Sequence, residues 1–130
     1  MPIVGIGTDI IEISRIEKMS EDTRKRLAKR ILTPNEYQYF CSLGGNSSNN
    51  AVRYLAKRWA GKEAAAKALG TGIAKGVSFQ HIEIKTLESG QPILELSDRA
   101  LDIARMQKAS YWHISLADEK LYATAFVTLS

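Results

Sequence analysis

Apolar residues in the middle of the chain recur with a helical beat. Across RYLAKRWAGKEAAAKALGTG, Arg53 to Gly72, the residues Leu55, Trp59, Ala66 and Leu69 stand three, four or seven apart. That spacing puts them on one stripe of a helix that faces a core. Nearly every residue from Tyr54 to Leu69 is a good helix former, and Gly70 and Gly72 stop the run.

Before this helix the pattern changes twice. Ile3, Val4 and Ile6 predict a short apolar strand, with Gly5 and Gly7 leaving room for a close backbone approach. Asp9 follows at the strand end among isoleucines. From Ile11 to Ile31 the apolar positions (Ile13, Ile16, Met19, then Leu27 and Ile31) read as helical. Thr33-Pro34-Asn35-Glu36 is a helix start, with Thr as N-cap, Pro first and Glu third. That helix ends at Gly44-Gly45, and GGNSSNN reads as a polar, mobile loop.

After Gly76 the period falls to two. Phe79, Ile82 and Ile84, then Ile93, Leu94 and Leu96, bracket a turn at Glu88–Pro92 and predict a hairpin. Ser97 caps a helix through Met106. A second hairpin runs from Tyr111 to Ala117 and from Leu121 to Leu129 around Asp118-Glu119-Lys120. The expectation is an α+β fold in a single domain, residues 1–130, with helices mostly in the first half and antiparallel strands mostly in the second.

Charge sharpens this picture. Residues 1–70 hold twelve Lys or Arg against seven Asp or Glu, and residues 71–130 hold six against seven. The positive excess lies wholly in the first half, where an acidic partner would be drawn. Arg15, Lys18, Arg24, Lys25, Arg26, Lys29 and Arg30 crowd the early helices. The first ten residues have no basic leader pattern and no apolar run reaches spanning length, so the expected location is the cytoplasm, without membrane contact. Cys41 is the one cysteine, read as a small apolar filler.

Most familiar chemistries are missing. His81 and His113 stand apart, without the HExxH or CxxC spacing that zinc sites use. His113, Ser115 and Asp118 are neighbours in sequence, but nothing around Ser115 resembles a nucleophile elbow. The early G-x-G lacks the third glycine of a dinucleotide fingerprint, and no Walker loop is present.

What remains is a pair of carboxylates, Asp9 and Glu63, with cations around the second. Glu63 and Lys67 are four apart on the helix and point the same way, as are Arg58 and Lys62. Like charges at that spacing repel, so an anion between them is expected; the alternative is a solvated face with one Glu–Lys pair. Magnesium takes one or two carboxylates and completes its shell with water and phosphate oxygens. Lys62 and Lys67 could hold the phosphate charge that is left over.

With GIGTDIIEISRIE near the start, LAKRWAGKEAAAKALGTGI in the middle and HISLADEKLYATAFV late, the chain resembles the holo-(acyl-carrier-protein) synthases, a family of 4′-phosphopantetheinyl transferases, over nearly its full length. The resemblance implies magnesium-dependent transfer of the phosphopantetheine arm of coenzyme A to a serine of apo acyl carrier protein, which activates the carrier for fatty acid biosynthesis. Adenosine 3′,5′-bisphosphate would be the other product.

By the same resemblance Asp9 and Glu63 are the magnesium ligands and Lys67 contacts the coenzyme A phosphates, with Lys62 and Arg58 as further candidates. Gly90 and Pro92 match a Gly-x-Pro turn near the adenine. A homotrimer is implied, each site lying between neighbours, and the basic early helix, with Arg15 and Arg24, would receive the acidic carrier.

One departure stands out: many relatives read S-I-T-H or S-I-S-H where this chain has Ser115-Leu116-Ala117-Asp118. Asp118, Glu63 or a metal-bound water is left to remove the serine proton. A basic nucleic-acid-binding module is the competing reading. Few aromatics for base stacking and no recognised binding motif speak against it. A purely structural scaffold would leave Asp9 and Glu63 unexplained.

Overall fold

In the computed structural model, which describes residues 2–45 and 48–130, the first and last strands lie side by side. Strand β1 (Gly5–Glu12) pairs antiparallel with β5 (Tyr122–Leu129), and β5 pairs antiparallel with β4 (Trp112–Asp118). The order is therefore β1-β5-β4, with the last strand in the centre. A separate hairpin, β2 (Ile82–Thr86) and β3 (Pro92–Leu96), packs its second strand beside β4.

The helices are α1 (Ser14–Glu17), α2 (Glu21–Ile31), α3 (Pro34–Ser42), α4 (Asn49–Ala68) and α5 (Asp98–Met106). Helix α4 lies across β1 and β5 and belongs to two apolar clusters at once. Towards the sheet, Ala60, Ala64 and Ala68 meet Ile11, Val127 and Leu129. Towards the other helices, Leu55 and Ala56 meet Ile16, Ile31 and Phe40.

Glycine sets how close α4 can come. A Cβ on Gly5 would strike the carbonyl oxygen of Ala68, and one on Gly7 would strike that of Ala64. Backbone therefore rests on backbone, as the early glycines predict. Side chains on β1 alternate about this contact: Gly7, Asp9 and Ile11 face α4, whereas Ile6, Thr8 and Ile10 face outwards.

Several expectations are corrected. The first strand runs on to Glu12, so Asp9 sits mid-strand opposite Ala125 and not at a strand end. The period-two alternation through Ile10 and Ile11 overrides the helical reading, and helix begins only at Ser14. Helix α4 starts at Asn49, where the Ser48 side chain accepts from Ala51 N. Asn49 and Asn50 thus belong to its first turn, and Asn46 and Ser47 of the expected loop lie outside the described residues. Cys41 is exposed, because α3 turns Glu36 and Phe40 inwards and leaves it outside. Ser97 precedes α5 as expected, but its hydroxyl donates to His81 O instead of capping the helix.

The Thr33–Glu36 capping box is present: Thr33 N donates to Glu36 Oε1 at 2.8 Å, and Glu36 N donates to Thr33 Oγ1 at 3.3 Å. No helix among the described residues is long and apolar enough to cross a membrane.

Candidate active site

Asp9 and Glu63 meet where α4 crosses β1. Asp9 faces the helix from the strand, and Glu63 lies half-buried on the helix flank with Lys67 one turn further on. Lys67 Nζ lies 2.8 Å from Asp9 Oδ1 and donates to Thr8 O at 2.9 Å. The Glu63 carboxyl is held above the ordinary carboxylate range, first by burial and then by the charge of Asp9. Lys67 and a hydrogen bond from Trp59 work in the opposite direction. Two carboxylates that repel each other at a partly open surface make a site that a cation would relieve.

The donor set suits magnesium. Among the described residues no cluster of three or more His, Cys, Asp or Glu side chains forms a protein cage. A hard cation held by one or two carboxylates, with positions left for water and phosphate oxygens, needs no such cage. Asp9 and Glu63 fit that requirement.

The other face of α4 corrects the sequence reading. Lys62 is fully buried and its Nζ lies 2.5 Å from Glu36 Oε1. It also donates to Ile31 O at 2.6 Å and Phe79 O at 3.2 Å. Burial pushes the Lys62 pKa down, and the Glu36 carboxylate opposes that shift. An ammonium has three donors, and all three are used inside the protein, so Lys62 has none left for a phosphate. An anion does sit beside the like-charged pair, but it is the chain's own Glu36.

Arg58 is also drawn away from Lys67. Five residues separate it from Glu63, roughly 140° around the helix. Its guanidinium lies 4.5 Å from the centroid of the Tyr54 ring, and its Nη2 donates to Thr86 Oγ1 at 2.9 Å. Its Nε is buried without a partner among the described residues. Burial pushes the Tyr54 hydroxyl up to about 12, with Arg58 working against it, so the Tyr54 side chain stays neutral. A cavity of about 490 Å³ opens here, walled by Tyr39, Tyr54, Arg58, Lys85 and Thr86.

Asp118 sits at the end of β4 under the start of α4. Arg53 Nη1 donates to its Oδ2 at 3.0 Å, and Lys57 Nζ lies 3.1 Å from its Oδ1. Arg53 also donates to Glu119 O at 2.8 Å and Lys120 O at 3.1 Å, clamping the β4–β5 turn. Partial burial alone would raise the Asp118 pKa, but Lys57 and then Arg53 outweigh it and hold the carboxyl below its usual range. A carboxylate so held is a weak proton acceptor and a strong anchor. His113 projects from the outer face of the sheet, opposite Thr128.

Gly90 and Pro92 flank the β2–β3 turn, where Gly90 has φ +91° and donates to Leu87 O. The hairpin packs beside β4, and β5 separates that strand from β1, which carries Asp9. Arg15 lies over the Trp59 ring at 5.2 Å. Arg24 donates to the carbonyls of Ile16, Glu17 and Met19, and so holds the α1–α2 turn.

Sequence reasoning missed four participants. Trp59 entered only as a core residue, although its four-residue spacing from Glu63 was a usable signal. Glu36 was legible as a cap and not as an ion-pair partner. Arg53 and Lys57 act across more than sixty residues of sequence, and no local pattern marks such a contact.

Residues 5–127 match a family model described as the 4′-phosphopantetheinyl transferase superfamily. A holo-[acyl-carrier-protein] synthase of Shewanella piezotolerans is 55% identical over 133 residues, covering 98% of each chain. One from Yersinia pseudotuberculosis is 47% identical over 129 residues, covering 99% of this chain and 98% of that one. Among solved structures, a holo-[acyl-carrier-protein] synthase from Neisseria meningitidis superposes with a TM-score of 0.85 at 39% identity, over 99% of both chains. A Bacillus anthracis synthase in complex with CoA (3′,5′-ADP) gives 0.79 at 39% identity, over 98% of this chain and 96% of that one.

Proposed function

Because this chain belongs to the 4′-phosphopantetheinyl transferase superfamily, we propose that the Asp9–Glu63–Lys67 face is where its reaction takes place. The chain is an enzyme that transfers the 4′-phosphopantetheine arm of coenzyme A to a serine of apo acyl carrier protein. The observation that carries the placement is the pair of repelling carboxylates, Asp9 and Glu63, brought together where α4 rests on β1.

In this reading Asp9 and Glu63 hold magnesium, which when bound neutralises charge on the pyrophosphate of coenzyme A. Lys67, half exposed and paired with Asp9, would turn to the leaving phosphate once Asp9 is engaged. Trp59, one turn before Glu63 on α4, partly offsets the rise in the Glu63 pKa. Asp118, with its lowered pKa, holds the β4–β5 turn against α4 and so keeps the site together, leaving Glu63 as the side chain of this site that would accept the serine proton. Catalysis is then positioning and electrostatics, with no covalent enzyme intermediate.

The adenine end needs a second chain. Gly90 and Pro92 lie on the hairpin beside β4, and β5 separates that strand from Asp9 on β1, so a coenzyme touching both would lie between neighbouring subunits. The outer sheet face supplies the means to associate: Ile6 and Ile10 are each 59% exposed, with Phe126 and Tyr122 beside them. A homotrimer with its sites between subunits is the assembly we favour. The free, exposed Cys41 fits a reducing cytoplasm, where the carrier would be activated for fatty acid synthesis.

Mass spectrometry of apo carrier incubated with this protein, coenzyme A and Mg²⁺ tests the activity, which predicts a gain of one phosphopantetheine. Electron paramagnetic resonance titration with Mn²⁺ tests the metal site apart from turnover. Tight binding that is lost in both Asp9→Ala and Glu63→Ala supports the placement, and unchanged binding in either removes that residue. Sedimentation should give three times the mass of one chain.

A further inference from the structure

The early basic helix is fastened to the catalytic helix at one buried point. Ile31 is the last residue of α2, and its carbonyl is one that a helix C-terminus leaves without an internal partner. Lys62 donates to that oxygen at 2.6 Å, the cation meeting the negative end of the helix dipole. Lys62 directly precedes Glu63 on α4. Its counter-ion, Glu36, also accepts from Thr33 N and Ile84 N, each at 2.8 Å. One ion pair therefore gathers the end of α2, the start of α3, strand β2 and the middle of α4.

We propose that the buried Glu36–Lys62 pair is a joint that sets the position of α2 relative to Glu63, making both residues positioning residues for transfer to the carrier. This rests on the reading that α2 receives the acidic carrier. A pair of apolar side chains would fill the same space and hold the fold equally well. Such a contact has no direction, whereas hydrogen bonds to Ile31 O and Phe79 O define where α2 ends and how it is rotated.

Gln80 reinforces the same point from outside the pair. Its side-chain amide donates to Leu32 O at 2.8 Å and Arg30 O at 3.2 Å. At the other end of α2, Arg24 donates to the carbonyls of Ile16, Glu17 and Met19 in the α1–α2 turn. Loosening the joint would let α2 shift at the end nearest Glu63. The coenzyme would still bind, and the carrier serine would arrive off line.

The test compares Lys62→Met, the neutralised double variant Glu36→Gln with Lys62→Met, and Gln80→Ala. Urea melts and steady-state kinetics are recorded with each substrate varied in turn. Lys62→Met should lose much stability, because it strands a buried carboxylate, and the double variant should regain most of it. Even so, carrier kcat/KM in the double variant should stay about tenfold below wild type, as expected of a misplaced reacting group. The KM for coenzyme A should not change.

Gln80→Ala should raise the carrier KM less, with stability kept, and it reads out the proposal even if the double variant does not fold. Full recovery of carrier kcat/KM along with stability, or a normal carrier KM in Gln80→Ala, overturns the joint. A matched loss for both substrates overturns it too, since the pair would then serve coenzyme binding. Charge reversal on the exposed face of α2, Arg26→Glu, separates the two ideas. If it leaves the carrier KM unchanged, the docking reading falls and takes the joint with it. If it raises that KM while the double variant behaves normally, only the joint falls.

Discussion

Two lysines on α4 each meet a carboxylate and do opposite work. The Lys62–Glu36 pair is closed, with side-chain exposures of 0% and 2%, and every donor on the lysine is used. The Lys67–Asp9 pair is open, at 53% and 18%, and a second carboxylate stands nearby. Both are Lys–acid pairs of similar length, so contact distance does not tell a closed pair from an open one. What tells them apart is whether water and ligands can reach the pair, and whether any acceptor or donor is left over.

The largest expected effect sits on the closed side. Glu36→Ala should lower unfolding free energy by about 3–5 kcal/mol, because it leaves a buried ammonium uncompensated. Lys67→Met should cost under about 1 kcal/mol, as exposed pairs do. Urea melts of the two variants decide it, and equal losses would erase the distinction between the pairs.

Next comes the open side. Asp9→Ala and Glu63→Ala should each lower turnover by about 10²–10³-fold, the scale of losing one electrostatic stabiliser, while urea midpoints stay near wild type. A variant that keeps near-normal turnover with Mg²⁺ limiting would show that its carboxylate is not a ligand.

Asp118 offers a third pair to set between the two. Its carboxyl titrates lower in the folded protein than in the unfolded chain, where the value is about 3.9. Its ion pairs therefore contribute stability that is complete above that value and is lost as pH falls through the lower folded one. Asp118→Asn should remove this part of the acid sensitivity and slow turnover across the pH range without moving a pH optimum. A rate loss confined to His113→Ala, with Asp118→Asn neutral, would reverse the assignment.

The smallest effect concerns surface charge. Arg15→Glu should raise the carrier KM, and added salt should weaken the wild type more than the variant, since screening acts within about 10 Å at 0.1 M. The KM for coenzyme A should hold. Arg24→Glu is a poorer probe, because its guanidinium braces three backbone carbonyls. Equal effects on both substrates would move these arginines from docking to the coenzyme site or the fold.

Much of this was legible in the sequence because it is local. The T-P-x-E cap, the glycines that end α4 and the alternation in β4 and β5 each follow from neighbours within a few residues. Asp9 stood out because an acid among apolar residues needs a partner, and Glu63 because cations frame it on the helix. The fate of Lys62 and Arg58 did not show, since a basic residue on a helix reads the same whether solvent or a buried glutamate faces it. The extent of β1 was misjudged for a related reason. Isoleucine spacing near Asp9 fits a strand and a helix alike, and pairing with β5, at the far end of the chain, settles it.

The bare contact between Gly5, Gly7 and α4 has one more consequence. Side-chain packing can be retuned by a different rotamer or a different methyl group, but peptide planes in contact have fixed thickness. The strand and helix thus work like the jaws of a calliper, with Asp9 on one jaw and Glu63 on the other. A single methyl group at Gly7 would be a shim, prising the jaws apart without touching either carboxylate. Magnesium demands short, regular contacts and calcium accepts longer ones. If Asp9 and Glu63 hold the cation as proposed, the width of two glycines would favour magnesium over calcium there.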